Sequence, residues 1–431
     1  MTRIVTPTVL PEPEVPDPQT DYVPSPTVED FILSVANGPL QEFRVLALMA
    51  SRGEGKFQPI TAPVLTPTGW EKIGNIKPGD VVIAGDGQPT RVLGVYHRVA
   101  QPIWRLLFSD KTSALAGDEH LWAVETGWDR KGYKRKNKKG LSRGPKIVTT
   151  REIRDQLDRD AWKGGGRWSI PLVGPVQFPP RQTLVDPYLL GVLLGDGSLA
   201  PQVVSLTSND DEIVEAVRQS LPEGSTLRKV HSKANRASQY RVNGPTLRQR
   251  LLGYGLLGTH SYTKFVPPEY LWNSPEVRLA LLQGLLDTDG TAGSTVQNSV
   301  SYATTSPQLA EDVCFLVRSL GGLAITRHRQ TAYTHQGEKR DGRPSYHVSV
   351  RLPNGIAPFR LRRKLERVKP KGERNKAKRY IVGCEPAGEE RVVCIEVESD
   401  TDLYVTNDFI TTHNTTSGIW SIVAALYPAG Y

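Results

Sequence analysis

The chain has 431 residues, a formal net charge of +9, and 39 Gly and 33 Pro spread without period through apolar segments. That length builds more than one domain, and the unperiodic Gly and Pro exclude collagen-like and wholly disordered chains. No apolar run reaches the roughly 18 residues of a membrane helix, and the first residues lack the apolar stretch of a secretory signal. Cys314, Cys384 and Cys394 neither frame a disulfide scaffold nor have zinc-ligand spacing, so a reducing, cytoplasmic setting with no membrane partner is expected.

In chain order, residues 1–28 read as a Pro-rich tail that packs nothing. Phe43 to Ala50 has a buried-strand pattern, and Ser51 to Lys56 is a Gly-containing turn. From Val64 to Tyr96 short strands alternate with turns, the pattern of a compact all-β unit. Residues 130–146 hold nine Lys or Arg and no acid, and residues 360–379 hold eleven against Glu366 and Glu373. Each stretch is net +9, which leaves the rest of the chain at −9 and points to a polyanion partner, most simply nucleic acid. Two apolar helical segments begin near Leu189 and Leu281, a spacing that suggests internal duplication. Short strands return from Arg391 to Ile410, and Thr415 to Leu426 reads as the start of a helix.

Ala50 to Lys56 (ASRGEGK) follows the strand pattern and lacks only the last hydroxyl residue of a phosphate-binding loop. Phe57 stands in that place. Joining Lys56 to Thr415 restores strand, loop and helix, with Gly53, Gly55, Lys56 and Thr415 as the residues that would hold ATP and Mg²⁺. The missing Thr comes directly after His413-Asn414. An Asn side-chain amide can attack its own carbonyl carbon and cleave the chain, a His can move the proton, and a Thr hydroxyl can hold an acyl group.

On these residues the stretch 57–414 resembles an intein, a self-splicing insert. Val64 to Gly87 is similar to the N-terminal splicing block and the segment next to it, and Val392 to Asn414 to the two C-terminal blocks. Inteins usually open with Cys or Ser, whereas this one opens with Phe57. The class 3 inteins lack that nucleophile and carry instead a Trp two residues after a block B His, a Cys early in block F and a Thr after the final Asn. Here those are Trp122 (after His120), Cys394 and Thr415. The resemblance implies that Cys394 attacks the Lys56 carbonyl, with His120 as proton donor to the leaving nitrogen. Thr415 then takes the acyl group, and Asn414 cyclises with help from His413. Asp118 and Glu119 are further candidates for proton transfer, and Asp402 stands where block F commonly has a His.

Leu189 to Ser198 (LLGVLLGDGS) and Leu281 to Gly290 (LLQGLLDTDG) resemble the two motifs of the LAGLIDADG homing endonucleases. That family packs the two helices at a pseudo-twofold interface, here through Gly191 and Gly284, in a single chain acting as a monomer. It implies that Asp196 and Asp289 converge on Mg²⁺, with Lys264 assisting, and that the partner is double-stranded DNA.

The expected fold is mixed: an all-β Hint (hedgehog/intein) splicing domain in two pieces, 57–165 and 379–414, housing an α+β endonuclease at 166–378. A short α/β phosphate-loop host flanks it at 29–56 and 415–431. The host resembles a phage terminase large subunit made in a bacterial cell. Three other readings remain open: a splicing-competent intein with an inactive endonuclease, an endonuclease in a splicing-dead scaffold, and an ATP-binding module with an inert insertion.

Overall fold

The computed structural model describes residues 56–125, 145–158, 168–230, 237–293, 300–335, 338–368 and 377–413. The tail, the strand expected at Phe43 to Ala50, Gly53, Gly55, basic residues 130–143, Asn414, Thr415 and the helix expected after it lie outside the described residues.

The first half opens with four short strands: β1 (Gln58–Pro59), β2 (Pro63–Thr66), β3 (Gly69–Lys72) and β4 (Val81–Ile83). A turn at Lys77 to Asp80 precedes β4. The Asp80 carboxylate accepts from the Lys77 N–H at 2.8 Å, and Gly79 takes φ +93°, where a side chain is strained. Then come β5 (Pro89–Phe108), β6 (Ser113–Gly117), β7 (Leu121–Val124), β8 (Lys146–Thr149), α1 (Thr150–Asp158) and β9 (Ser169–Ile170).

The inserted part is built twice. Its first copy is α2 (Pro187–Gly195), β10 (Gly197–Leu199), β11 (Val204–Thr207), α3 (Asp211–Ser220), β12 (Thr226–Val230) and β13 (Gln239–Asn243). Two helices, α4 (Pro245–Gly253) and α5 (Pro268–Leu271), connect it to the second copy. That copy runs α6 (Pro275–Asp289), β14 (Gly290–Ala292), β15 (Val300–Thr304), α7 (Pro307–Ser319) and β16 (Leu323–Arg329). A hairpin comes next, β17 (Ala332–His335) with β18 (Glu338–Asp341), then β19 (Ser345–Arg351) and α8 (Arg362–Leu365). The chain returns to the all-β unit with β20 (Arg379–Val397), β21 (Leu403–Thr406) and β22 (Ile410–His413).

The duplication is visible in the sheets. One has the order β10-β11-β13-β12 and the other β14-β15-β19-β16, so the same connections recur with the β17–β18 hairpin added. α2 and α6 form the seam. Each begins at a Pro, and the Asp186 carboxylate caps α2 by accepting from the Leu189 N–H at 2.9 Å. A Cβ on Gly191 would lie 2.3 Å from the Leu281 carbonyl oxygen, and one on Gly284 would lie 2.4 Å from that of Tyr188. Only glycines permit this approach.

In the all-β unit the long strands β5 and β20 pair antiparallel, and β1, β4, β6 and β9 extend that sheet. A second sheet runs β22-β21-β2-β3. The border expected at residue 166 is displaced. β9 pairs with Arg379 and Tyr380, Leu172 bridges Ile410, and Val173, Val176 and Phe178 pack with Leu65 and Ile83. Residues 169–172 therefore pair with the β unit, while Val176 and Phe178 touch both units, the Val176 N–H donating to the Ser319 carbonyl at 2.9 Å and the Phe178 ring centre lying 5.0 Å from that of Trp272. Their Pro- and Gly-broken apolar residues show neither helical nor strand period, which hides the assignment.

Candidate functional site

β1 runs antiparallel to β20, with Gln58 opposite Val393 and Pro59 opposite Val392. One residue further along that register, Phe57 stands beside Cys394. All six residues from Val392 to Val397 are buried, so Cys394, 2% exposed, lies inside the unit, near enough to Lys56 for their charges to interact. Tyr404, whose ring neighbours Cys394, donates its hydroxyl to the Gln58 side-chain carbonyl at 2.6 Å and so holds β1 in place. Burial pushes the Lys56 amine below its ordinary pKa, and the charges of Cys394 and Asp402 oppose that shift. Asp402 sits in a left-handed turn at φ +52°. The Gly117 N–H donates to the Phe57 carbonyl at 2.8 Å.

His120 is fully buried. Its Nε2 is hydrogen-bonded to the Thr412 hydroxyl of β22. Its Nδ1 has no partner within hydrogen-bonding geometry among the described residues, and the Lys56 backbone is the group that favours a protonated ring. Burial outweighs that help, aided by the nearby His413 and Lys56 charges, and the pKa falls to about 3. That environment favours the neutral imidazole over the imidazolium. Trp122 packs edge-on, 5.2 Å from His120 between ring centres, and its indole N–H donates to the Thr150 hydroxyl at 3.0 Å. The Thr150 N–H donates to the His120 carbonyl at 2.9 Å, which closes a small frame around the imidazole. His413 is buried at the end of β22.

Asp118 and Glu119 do not join this centre. Asp118 accepts from Arg151 and Arg154 of α1, each at 2.8 Å, and Glu119 pairs with Arg151. A partly exposed arginine pair claims these acids, which the motif alone cannot reveal. Cys384 pairs with Leu106 and packs against the cluster around it. Cys314 sits in α7 against the Thr326 hydroxyl at 3.0 Å.

The second centre lies where α2 and α6 end side by side. Asp196 caps α2, and Asp289 is the last residue of α6. Partial burial raises the Asp289 carboxyl to about 6, with the Asp196 charge adding to the rise and Lys264 and Lys364 opposing it. Burial also raises Asp196. Among the described residues no cluster of three or more His, Cys, Asp or Glu has metal-ligating placement, so these two carboxylates are what the chain offers. Two converging acids that repel one another suit a divalent cation held between them.

Lys264 is buried, and its amine donates to the carbonyls of Leu193, Leu194, Gly195 and Gly197 at 2.8–3.1 Å, which closes the end of α2. Its pKa falls to about 8 through burial, against the pull of Asp289 and Asp196. Lys364 does the same for α6, donating to Leu286, Asp287, Thr288 and Gly290 at 2.6–3.0 Å. Sequence reasoning missed this twin because it lies in a basic run read as phosphate-binding. The signal was available: a second Lys is required by the duplication. The rest of that run is also partly engaged within the protein. Arg360 donates to Gln283, Arg363 makes two bonds to Asp210, and Arg379 is buried against Asp110 at 2.8 Å. Of the eleven cations, these four do not await DNA.

Residues 276–352 match the LAGLIDADG-like domain family. The chain is 32% identical over 387 residues to a replicative DNA helicase DnaB of Mycobacterium intracellulare, covering 87% of this chain and 61% of that protein. It is 31% identical over 175 residues to an ATP-dependent DNA helicase Hel308 of Thermococcus kodakarensis, 38% of this chain and 15% of that one. Among solved structures, the MchDnaB-1 intein is 33% identical over 16% of this chain and 53% of its own, with a TM-score of 0.15. The I-DmoI complex with DNA and Ca is 15% identical over 41% and 93%, with a TM-score of 0.26. The chain thus spans about three fifths of the length of the first of these relatives and far less of the second. The architecture is the one expected, an all-β unit interrupted by an α+β unit whose second copy carries the match to the LAGLIDADG-like domain family.

Proposed function

We propose that this chain splices itself, excising 57–414 and joining Lys56 to Thr415, and that the excised part is a site-specific DNA endonuclease. The observation that supports the splicing reading is convergence: the register of β1 on β20 runs from Gln58–Val393 toward Phe57 and Cys394, and His120, near Lys56, is hydrogen-bonded to the strand leading to Asn414. The Cys394 sulfur, its proton lost, forms a C–S bond to the Lys56 carbonyl carbon. The bond to the Phe57 nitrogen breaks, and that nitrogen takes up a proton. The Thr415 hydroxyl displaces sulfur to form an ester. The Asn414 side-chain nitrogen closes on its own carbonyl carbon and frees the Thr415 amine, which attacks the ester to give the amide. Because the first nucleophile is internal, the Phe57 position does not block the reaction. Cys394→Ala is expected to leave the chain unspliced and to remove any thiol-releasable N-terminal fragment. An unchanged fragment would remove Cys394 from the first step.

For the endonuclease, Asp196 and Asp289 hold a divalent cation, Mg²⁺ by preference for oxygen ligands, which activates water and stabilises the departing oxygen. Cross-strand Arg228 and Arg241 lie directly opposite one another with no ion-pair partner among the described residues, a repulsion that duplex phosphates would relieve. The unit acts as a monomer on double-stranded DNA through its two similar sheets. Cation-dependent cutting of the host gene lacking the insert tests this, and cutting retained in Asp196→Asn/Asp289→Asn contradicts it.

For the host, residues 29–56 and 415–431 fit a phosphate-loop ATPase in which Gly53, Gly55, Lys56 and Thr415 bind ATP and Mg²⁺ once joined. The relatives are helicases, so they lend no support to the narrower terminase reading.

A further inference from the structure

We propose that the two copies in the endonuclease unit position each other's lysines: Ser306 and Asp312 of the second copy hold the segment that carries Lys264, and Asp210 and Glu212 of the first copy hold the segment that carries Lys364. This rests on the endonuclease reading and adds four positioning residues to it. Lys264 donates to the Gly195 and Gly197 carbonyls, on either side of Asp196, and Lys364 to those of Thr288 and Gly290, on either side of Asp289. Each buried amine therefore fixes the turn that carries an acid of the candidate cation site. Neither lysine lies on the helix it closes. Each sits on a short segment that follows its own copy, and it reaches the helix end only when that segment is docked.

The docking comes from the opposite copy. The Ser306 hydroxyl caps α7 by accepting from the Leu309 N–H at 3.1 Å, and it donates to the Lys264 carbonyl at 2.6 Å. Two residues beyond Lys264, the Val266 N–H donates to the Asp312 carboxylate at 2.7 Å, and the Gln308 amide donates to its other oxygen at 3.0 Å. Both Ser306 and Asp312 are buried. In the first copy α3 is the counterpart of α7, since each follows the second strand of its copy. Its N-cap residue, Asp210, accepts two bonds from the Arg363 guanidinium at 2.6 and 2.7 Å, and Glu212 accepts from the Arg362 N–H at 3.2 Å. The same place in the fold thus serves the other copy's lysine both times. The two holds differ in strength. The one on Lys264 is buried, where an unmade bond to a charged group is costly. The Arg363–Asp210 pair is partly exposed, and Asp287 of α6 also accepts from the Arg360 and Leu361 N–H groups.

The test treats the full chain with acetic anhydride and reads, by mass spectrometry, the peptides that contain Lys264, Lys364 and the exposed reference Lys77. Both buried lysines should be protected in the unmodified chain. Asp312→Ala should raise acetylation of Lys264 about tenfold relative to Lys77 and leave Lys364 protected, the shift in a local opening equilibrium expected from one lost buried hydrogen bond to a charged group. Asp312→Asn keeps an acceptor for the Val266 N–H and should restore protection. Asp210→Ala/Glu212→Ala should do the reverse, raising Lys364 roughly two- to fivefold and leaving Lys264 protected. General loosening would expose both lysines and cannot give this crossed pattern. Equal exposure of both, exposure of the lysine of the altered copy, or no change overturns the proposal. Cutting of a plasmid carrying the intein-free host sequence, with Mg²⁺, is followed in parallel. It should slow about tenfold in Asp312→Ala and recover in Asp312→Asn. Undiminished cutting by Asp312→Ala also overturns the proposal. Absence of cutting by the unmodified chain overturns the endonuclease reading instead, and the lysine pattern then decides the cross-copy hold by itself.

Discussion

A single side chain in this protein has its chemistry set by what encloses it, and Asp289 is the clearest case. Its carboxyl titrates near 6 because burial and the Asp196 charge both disfavour ionisation. The folded state therefore holds a proton that the unfolded chain has lost. That stabilisation is complete below the ordinary carboxylate range and disappears as pH rises through about 6. Cation binding runs the other way and strengthens over the same window. Asp196→Asn removes the repelling charge, so the Asp289 titration followed by carboxyl ¹³C shifts should move to lower pH; an unmoved titration would mean that the acids do not sense each other. Asp196, Asp289, Cys394 and Trp122 could be nominated from sequence because a motif carries each position. Thr412 and Thr150 could not, since their roles depend on partners distant in sequence.

Elements explain how the two proposed functions share one chain without blurring. The helical seam tolerates no side chain at Gly191 or Gly284. Gly191→Val is expected to separate α2 from α6 and to abolish DNA cutting, as read by cleavage of a plasmid carrying the intein-free host sequence. Retained cutting would mean that the seam is looser than its 2.3 Å approach indicates. The join between the units is aromatic. Trp70 meets Phe409 at 5.3 Å, Phe409 meets Phe315 of α7 at 5.1 Å, and Phe315 meets Trp272 at 4.8 Å. Arg318 of α7 also donates to Asp408 at 2.6 Å, in the turn that leads into β22. Phe409→Ala should cost about 3–5 kcal/mol by denaturant unfolding and slow release of the C-terminal fragment, since β22 loses its anchor. A cost under about 1 kcal/mol would contradict this packing. The seam helices could be read from their apolar runs and glycines. The join could not, because its aromatics come from four separated segments, two of them in loops without period.

At the scale of the whole molecule, charge and topology divide the labour. The two basic runs look alike in sequence, yet in the second Arg363, Lys364 and Arg379 are bound to the protein itself. The cations open to the proposed DNA partner include those on the paired sheets, such as Arg228 and Arg241. The all-β unit brings residue 56 and residue 413 to one imidazole although almost the entire insert separates them in sequence. The most direct test is the intact mass of the unmodified chain after expression. Self-splicing predicts two species, residues 1–56 joined to 415–431 by an ordinary peptide bond, and the free insert 57–414. Persistence of the 431-residue chain alone would contradict it.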